Sequence, residues 1–320
     1  MNEADAGVFH HGEVIRHKIA TLPLLPSVVS RLLLLNPEDD NFLDEVYRLA
    51  RQDPTFSFRL VQYAARTCRS GGMADKFNLK YAIARLGSRK IASIVASLSL
   101  TDAFEPQNES DRNLWLHSVE VAVTARRLVE MMPELQLDAE LIYLGALLHD
   151  IGRFVIFQAI PEGPARIDEH RWITPLTLLD AETEICGADH VSVGKQACDH
   201  WQIPGPIRDI VASHHDYALA TETLEERLLC TRVSVVQLAD FYSVHLMNHP
   251  VAERPEGESE EEAMERALEA LTLDLEPVLS GNGRVLPLKY RALIPRTLQQ
   301  QRESILLESG RILDALGICD

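Results

Sequence analysis

Basic residues are scarce in this chain: 31 Lys and Arg stand against 48 Asp and Glu, a formal charge of −17. Such a surplus repels phosphate backbones and anionic bilayers unless cations cluster locally. No run of cations does so, which excludes nucleic acid and membrane surfaces as partners. Cysteine is sparse as well. Cys68, Cys186, Cys198, Cys230 and Cys319 are an odd number at wide spacing with no CxxC pair. That pattern excludes a disulfide framework and a zinc ribbon and leaves reduced thiols. Long hydrophobic runs are missing: stretches such as IASIVASLSL, 91–100, are too short to cross a bilayer. The opening MNEADAGVFHHGEV has neither the basic start nor the apolar centre of a secretory signal. The expected location is the cytoplasm. Period-two alternation is scarce too, and with it goes the argument for strands.

What the chain does have is length, apolar content and helical spacing. Its 320 residues, 46% hydrophobic, can supply a substantial core. Apolar residues recur at three- and four-residue intervals in almost every segment, so the expected class is all-α. The first half predicts helices near 27–35, 41–51, 55–66, 78–86 and 88–103, separated by turn-rich stretches such as NPEDDN and RSGGMADKFN. A polar break, EPQNESD, leads into a long helix over about 111–132, with Ser110 or Asp111 as its N-cap. Further helices are expected near 138–148, 150–159, 177–185, 189–201, 205–215, 223–247 and 296–316. The acidic run ERPEGESEEEAMER reads as a solvated loop entering a helix start.

The segment LIYLGALLHDIGRFVIF, 141–157, sets His149 and Asp150 side by side in an otherwise apolar run. Burying either group unpaired costs several kcal/mol, so both need partners. Five more candidate ligands lie on segments of similar character: His117, His190, His214, His215 and Asp240. Taken singly, each reads as a hydrogen-bonded core or surface residue. Taken together, imidazoles with one or two carboxylates suit iron, manganese, zinc or nickel, and a carboxylate able to bridge two ions suits a dinuclear hydrolytic centre. Neighbours on a helix point about 100° apart, so His149 and Asp150 are expected to straddle two ions. His214 and His215 are expected at a frayed helix end.

With these residues in view, the chain resembles the HDOD (HD-related output domain) group of signalling proteins within the HD-domain superfamily, over roughly 18–280. The first half carries LPLLPSVVSRLLLL, LARQDPTFSFRLVQYA and LKYAIARLGSRKIASIVASLSL; the second carries LWLHSVEVAVTARRL, AELIYLGALLHDIGRFVI, ETEICGADHVSVGKQACDHWQIP, IVASHH and VVQLAD. The resemblance implies a tail over 1–17, a helical N-terminal part over 18–108, an HD-like helical bundle over 109–280 and a C-terminal helical extension over 281–320. It also implies a regulatory or protein-interaction role, with another signalling protein as partner; the alternative is a metal-dependent phosphohydrolase acting on a small phosphate-containing ligand. The related HD-GYP phosphodiesterases place metal ligands at positions matching all seven candidates. By that analogy Asp150 bridges two divalent ions, with His117, His149 and Asp240 on one and His190, His214 and His215 on the other.

Three departures qualify the analogy. Arg153 stands where relatives have Lys, on the face of Asp150, and is the candidate phosphate clamp. Asn113 stands where some relatives have a ligand Glu. HHDYALATETLEER lacks the Gly-Tyr-Pro segment, so cyclic di-GMP hydrolysis is not expected. Elsewhere, Arg85, Arg89 and Lys90 flank Gly87 and Ser88. They read most simply as exposed residues at a helix junction, with an anion site at the helix start as the alternative. Trp115, Trp172 and Trp201 read as packing residues.

Overall fold

In the computed structural model the described residues are 3–22, 35, 37–51, 54–67, 79–169, 175–249 and 259–318, and they form helices without a strand among them. The first helices are α1 (Glu3–Thr21), α2 (Phe42–Ala50), α3 (Pro54–Thr67), α4 (Leu79–Leu86) and α5 (Ser88–Ala103). Next come α6 (Glu109–Met131), α7 (Ala139–Leu148), α8 (Ile151–Ala159), α9 (Gly163–Glu169), α10 (Pro175–Cys186) and α11 (His190–His200). The chain continues with α12 (Gly205–Ser213), α13 (Leu224–Asn248), α14 (Glu260–Ser280) and α15 (Leu288–Leu316). No described helix is long and apolar enough to cross a membrane. Of the helix expected near 27–35 only residue 35 is described, and the turns at 69–78, Trp172, Cys68 and Cys319 lie outside the described residues.

Two helices set the architecture because they are buried on nearly every side. In α6 almost all residues from Leu114 to Val129 are buried, and in α13 the same holds from Cys230 to Leu246. A helix buried on nearly every side cannot lie on a surface, so the other elements pack around this pair. α7, α13 and α15 pack on α6, while α8, α11 and α12 form a second layer in which α12 also meets α7.

Local chemistry sets the helix starts. Asn108, rather than Ser110 or Asp111, caps α6 by accepting from the Asp111 amide at 2.9 Å, and the Asp111 carboxylate accepts from the Gln107 amide. Ser259 and Glu262 form a capping box at α14, where the acidic run meets its helix, and Thr223 and Glu226 form another at α13.

Three expectations about organisation are corrected. The presumed tail is helix α1: Ile15, Ile19 and Leu22 recur at helical spacing, are buried, and pack it on α8, α10 and α11. The last helix begins at Leu288, not after Pro295. Burial of Tyr290, Ile294 and Leu298 outweighs the one amide donor that Pro295 lacks. That helix is no appendage, since it packs on α3, α5, α6 and α14 and accepts a 3.0 Å hydrogen bond from Tyr242 at the Leu298 carbonyl. The break before residue 109 does not divide the core either, because one hydrophobic cluster runs from Val46 and Leu60 to Val121 and Leu298.

Candidate metal centre

Helix ends place most of the candidate ligands. His149 and Asp150 form a two-residue break between α7 and α8 rather than part of a continuous helix, with Asp150 at φ −96° and ψ 18°. The turn removes the 100° divergence of adjacent helical residues and lets both side chains enter one space. His190 is the first residue of α11, whose N-cap Asp189 accepts from the Ser192 amide. His214 and His215 follow the end of α12 at Ser213, as the frayed-end expectation requires. His117 and Asp240 project from the two buried helices, α6 and α13.

All seven converge, in two groups. Asp150, His190, His214 and His215 form one and His117, His149 and Asp240 the other, with the ligand atoms of each group within 4.8 Å of one another. Asp150 faces both: its Oδ1 lies 3.2 Å from His190 Nε2 and its Oδ2 3.8 Å from His117 Nε2. Asp240 Oδ1 lies 3.4 Å from His117 Nε2. Six of the seven side chains are buried and His215 is half-buried.

The partners on the far side of the rings fix which nitrogen carries the proton. His149 Nδ1 lies 2.6 Å from the Ala146 carbonyl and His214 Nδ1 2.8 Å from the Val211 carbonyl, so both donate there. His190 Nδ1 lies 2.6 Å from Glu182 Oε2, which also accepts the His190 amide. Ser243 donates its hydroxyl proton to Glu120 at 2.8 Å, which leaves its oxygen to accept from His117 Nδ1 at 3.0 Å. In their neutral forms these four histidines therefore turn Nε2 lone pairs inward. His117 and His149 present theirs to each other at 3.3 Å, and His190 and His214 at 3.2 Å. Facing lone pairs repel, and this donor set is of the kind that could hold a divalent cation.

The electrostatics agree with that donor set. Burial pushes His149 down to about 3 and lowers His117, which keeps both neutral. Burial also lowers His215, and the neighbouring His214 adds to the effect. Burial opposes ionisation of Asp150 as well, but His149, His190, His214 and Arg153 outweigh it and hold the carboxyl well below the usual range. Asp240 is pushed up to about 6 by burial and by the neighbouring Asp150 carboxylate, against the pull of His117. For His190 burial again lowers the pKa, yet Glu182 and Asp150 raise it overall, so a bound cation would take the place of a proton at its Nε2.

Arg153 is held by the centre. Its Nη1 donates to Asp150 Oδ2 at 3.3 Å, its Nε lies 3.7 Å from Glu182 Oε1, and its guanidinium lies over the Phe157 ring. Asn113 is exposed. A separate trio, His245, His249 and Asp274, also gathers, but His249 is exposed and Asp274 half-buried, and His245 Nδ1 is already 2.6 Å from Asp274 Oδ2.

Sequence reasoning missed the residues that orient the ligands: Glu182 behind His190, Ser243 and Glu120 behind His117, and Gly152, which sets how closely α8 approaches α11. Glu182 looks like a surface position in AETEIC, and nothing local marks it. Only the glycine beside His149 and Asp150, at the start of a helix, was a signal that could have been taken.

Glu120 has a measurable consequence. Burial raises its carboxyl from 4.5 to about 7, against the opposing hydrogen bond from Ser243. A raised folded-state pKa means that the folded protein binds the proton more tightly. The associated stability is then complete below about 4.5 and is lost as pH rises through about 7. Glu120→Gln is therefore expected to flatten the pH dependence of the unfolding free energy between pH 5 and 7.5. The difference from wild type should reach on the order of 3 kcal/mol in urea titrations of chelator-treated protein. Parallel curves for the two proteins would show that Glu120 does not titrate in this window.

Solved structures with related folds include a candidate phosphohydrolase of Shewanella amazonensis SB2B, 17% identical, TM-score 0.64, covering 93% of this chain and 98% of that one. An HDOD domain protein of unknown function from Geobacter sulfurreducens is 21% identical, TM-score 0.63, covering 97% and 99%. A candidate signal transduction protein of Marinobacter aquaeolei VT8 is 19% identical, TM-score 0.60, covering 96% and 66%. At these identities the likeness establishes the fold. An uncharacterized protein of Treponema pallidum (strain Nichols) is 23% identical over 211 residues, and the match spans 65% of this chain but only 40% of that relative's length. The model of the HDOD domain matches residues 22–217, more than half of the chain. The chain belongs to the HDOD domain family.

Proposed function

We propose that this protein is a regulatory signalling module whose buried centre holds one or two divalent ions, iron, manganese or zinc, and whose metal-bound form is read by a partner signalling protein. The observation that carries the reading is the pair of facing Nε2 lone pairs, His117 with His149 and His190 with His214. A cation between such donors converts repulsion into coordination, and imidazole with carboxylate suits first-row divalent ions. Binding to the folded state alone would stabilise the bundle by about 2.7 kcal/mol at a hundredfold excess over Kd, enough to make shape depend on metal supply. Burial of six donors and engagement of Arg153 by Asp150 and Glu182 favour this role over turnover.

A metal-dependent phosphohydrolase is the second reading, favoured by Asp150 facing both donor groups and by an Arg153 side chain that keeps a fifth of its surface exposed. In it, divalent ions would supply Lewis-acid neutralisation of a phosphoryl group. Elemental mass spectrometry of untagged protein purified without chelators is expected to find about one or two ions per chain. The loaded protein is expected to leave bis(p-nitrophenyl) phosphate and nucleoside monophosphates intact. Turnover that disappears in His149→Ala would replace the regulatory reading with the hydrolase one. A folded wild type that takes up no supplied metal would sink both.

A further inference from the structure

Two of the cations around Gly87 and Ser88 share a cavity. Arg85 and Lys90 line a cavity of about 1130 Å³ that opens between helices α3 to α5, the α6–α7 pair and the C-terminal helix α15. Its walls carry Arg66, Arg85, Lys90, Arg126, Arg127 and Arg311. The acidic groups there are Glu140, Glu308 and Asp314, so six cations meet three carboxylates, a surplus of three positive charges. In a chain of formal charge −17 the surplus is local and opposite to the whole.

Part of that charge is already in position. Arg126 lies over the Tyr143 ring at 4.9 Å and pairs with Glu308 and Glu140, while Arg127 pairs with Glu308 and donates to Ser304 Oγ at 2.9 Å. Arg66 donates to the Asp314 carbonyl at 2.7 Å, which spends no carboxylate on it. Guanidinium forks held in this way match phosphate oxygens, and Ser304 adds a hydroxyl group to the same walls. The volume slightly exceeds the usual range for small-molecule sites, about 300–1,000 Å³, and so admits a ligand of nucleotide size. The acidic remainder of the surface would repel a long polyanion at every other point.

We infer that this cleft binds a small anionic molecule bearing two or more phosphates, of nucleotide size. The site is separate from the metal centre and does not rest on the metal reading. Arg126 follows His117 by nine residues on α6, about 13 Å along the helix axis. A bound ligand ties the N-terminal helices, the bundle and the C-terminal helix together through charges from all three.

Isothermal titration of the full-length protein with ATP, inorganic pyrophosphate and citrate tests the inference. Lys90 and Arg311 are exposed, so a Lys90→Ala/Arg311→Ala double variant removes two of the surplus charges without opening the core. Wild type is expected to bind ATP or pyrophosphate in the micromolar range, and the double variant at least tenfold more weakly. Asp150→Ala, impaired at the metal centre, should keep its affinity. Absence of binding to either phosphate probe at millimolar concentration would overturn the inference, as would equal affinity in the double variant. Loss of binding in Asp150→Ala alone would place the ligand at the metal centre instead, and citrate binding as tightly as pyrophosphate would remove the phosphate assignment.

Discussion

Gly152→Ala is expected to force α8 away from α11 and to leave the protein unable to hold metal. A Cβ at this position would lie 1.9 Å from the His190 carbonyl oxygen and 2.7 Å from both the His190 carbonyl carbon and the Gly194 amide nitrogen. These are backbone atoms at the start of a packed helix, and no side-chain rotation relieves the overlap. The helices must separate, at a cost of about 3 kcal/mol or more. Because His190 heads the displaced helix and Asp150 precedes Gly152 by two residues, separation also breaks the 3.2 Å approach of His190 Nε2 to Asp150 Oδ1. Urea unfolding and metal content read the two effects together. Gly310→Ala is the control: its Cβ would meet nothing within 4 Å, and it should stabilise mid-helix α15 by about 0.5–1 kcal/mol. A Gly152→Ala protein with the wild-type midpoint and full metal content would show that the contact between these helices is not what positions the centre.

Asp150→Ala is expected to abolish metal binding by both donor groups, whereas Asp240→Ala should affect only one. The contrast follows from geometry, since Asp150 turns one oxygen to His190 and the other to His117, whereas Asp240 belongs only to the group of His117 and His149. Stability should fall as well, by about 3 kcal/mol, because Arg153 would lose the carboxylate beside its Nη1 within a buried site. Asp150→Asn keeps the shape and should lose metal with less disturbance to packing. If metal content in Asp150→Ala equals that in Asp240→Ala, with one ion still bound, Asp150 serves a single site and the bridging arrangement fails. If it equals wild type, the donors lie elsewhere, and His245, His249 and Asp274 become the place to look.

Much of the centre was legible before any coordinates, for an identifiable reason. His149 and Asp150 announce themselves because ionisable groups in an apolar run need partners, and that argument uses only the residues around them. The helices were legible on the same terms, since apolar spacing is a local property. Boundaries failed where a local rule met a tertiary contact. Pro295 suggested a helix start, but the burial of Ile294 and Leu298 carries α15 through it. The polar break at 105–111 suggested a domain boundary, yet Trp115 on α6 donates to the Phe104 carbonyl at 2.9 Å and the core is continuous across it. Residues 1–17 were read as a tail because the family resemblance begins after them, and only packing on α8, α10 and α11 gives Ile15 and Ile19 a reason to be apolar.

What the sequence determined by itself was composition at each position: helices with buried faces, seven residues with metal-ligand chemistry, and a family pattern in the order of the motifs. What the tertiary structure decided was direction. The break at His149 and Asp150 turns adjacent side chains into one space. Glu182, Ser243 and two backbone carbonyls fix the protons on the outer ring nitrogens, and Gly152 lets two helix backbones approach closely enough for His190 to meet Asp150. The cationic cleft belongs to the same class of fact. Arg66, Lys90, Arg126 and Arg311 are spread over 245 positions of an acidic chain, and only the packing of α15 against α3 and α6 brings their charges to one wall. A hydrogen bond or a coulombic contact acts over a few ångströms regardless of separation along the chain, so such arrangements leave no periodic trace in sequence.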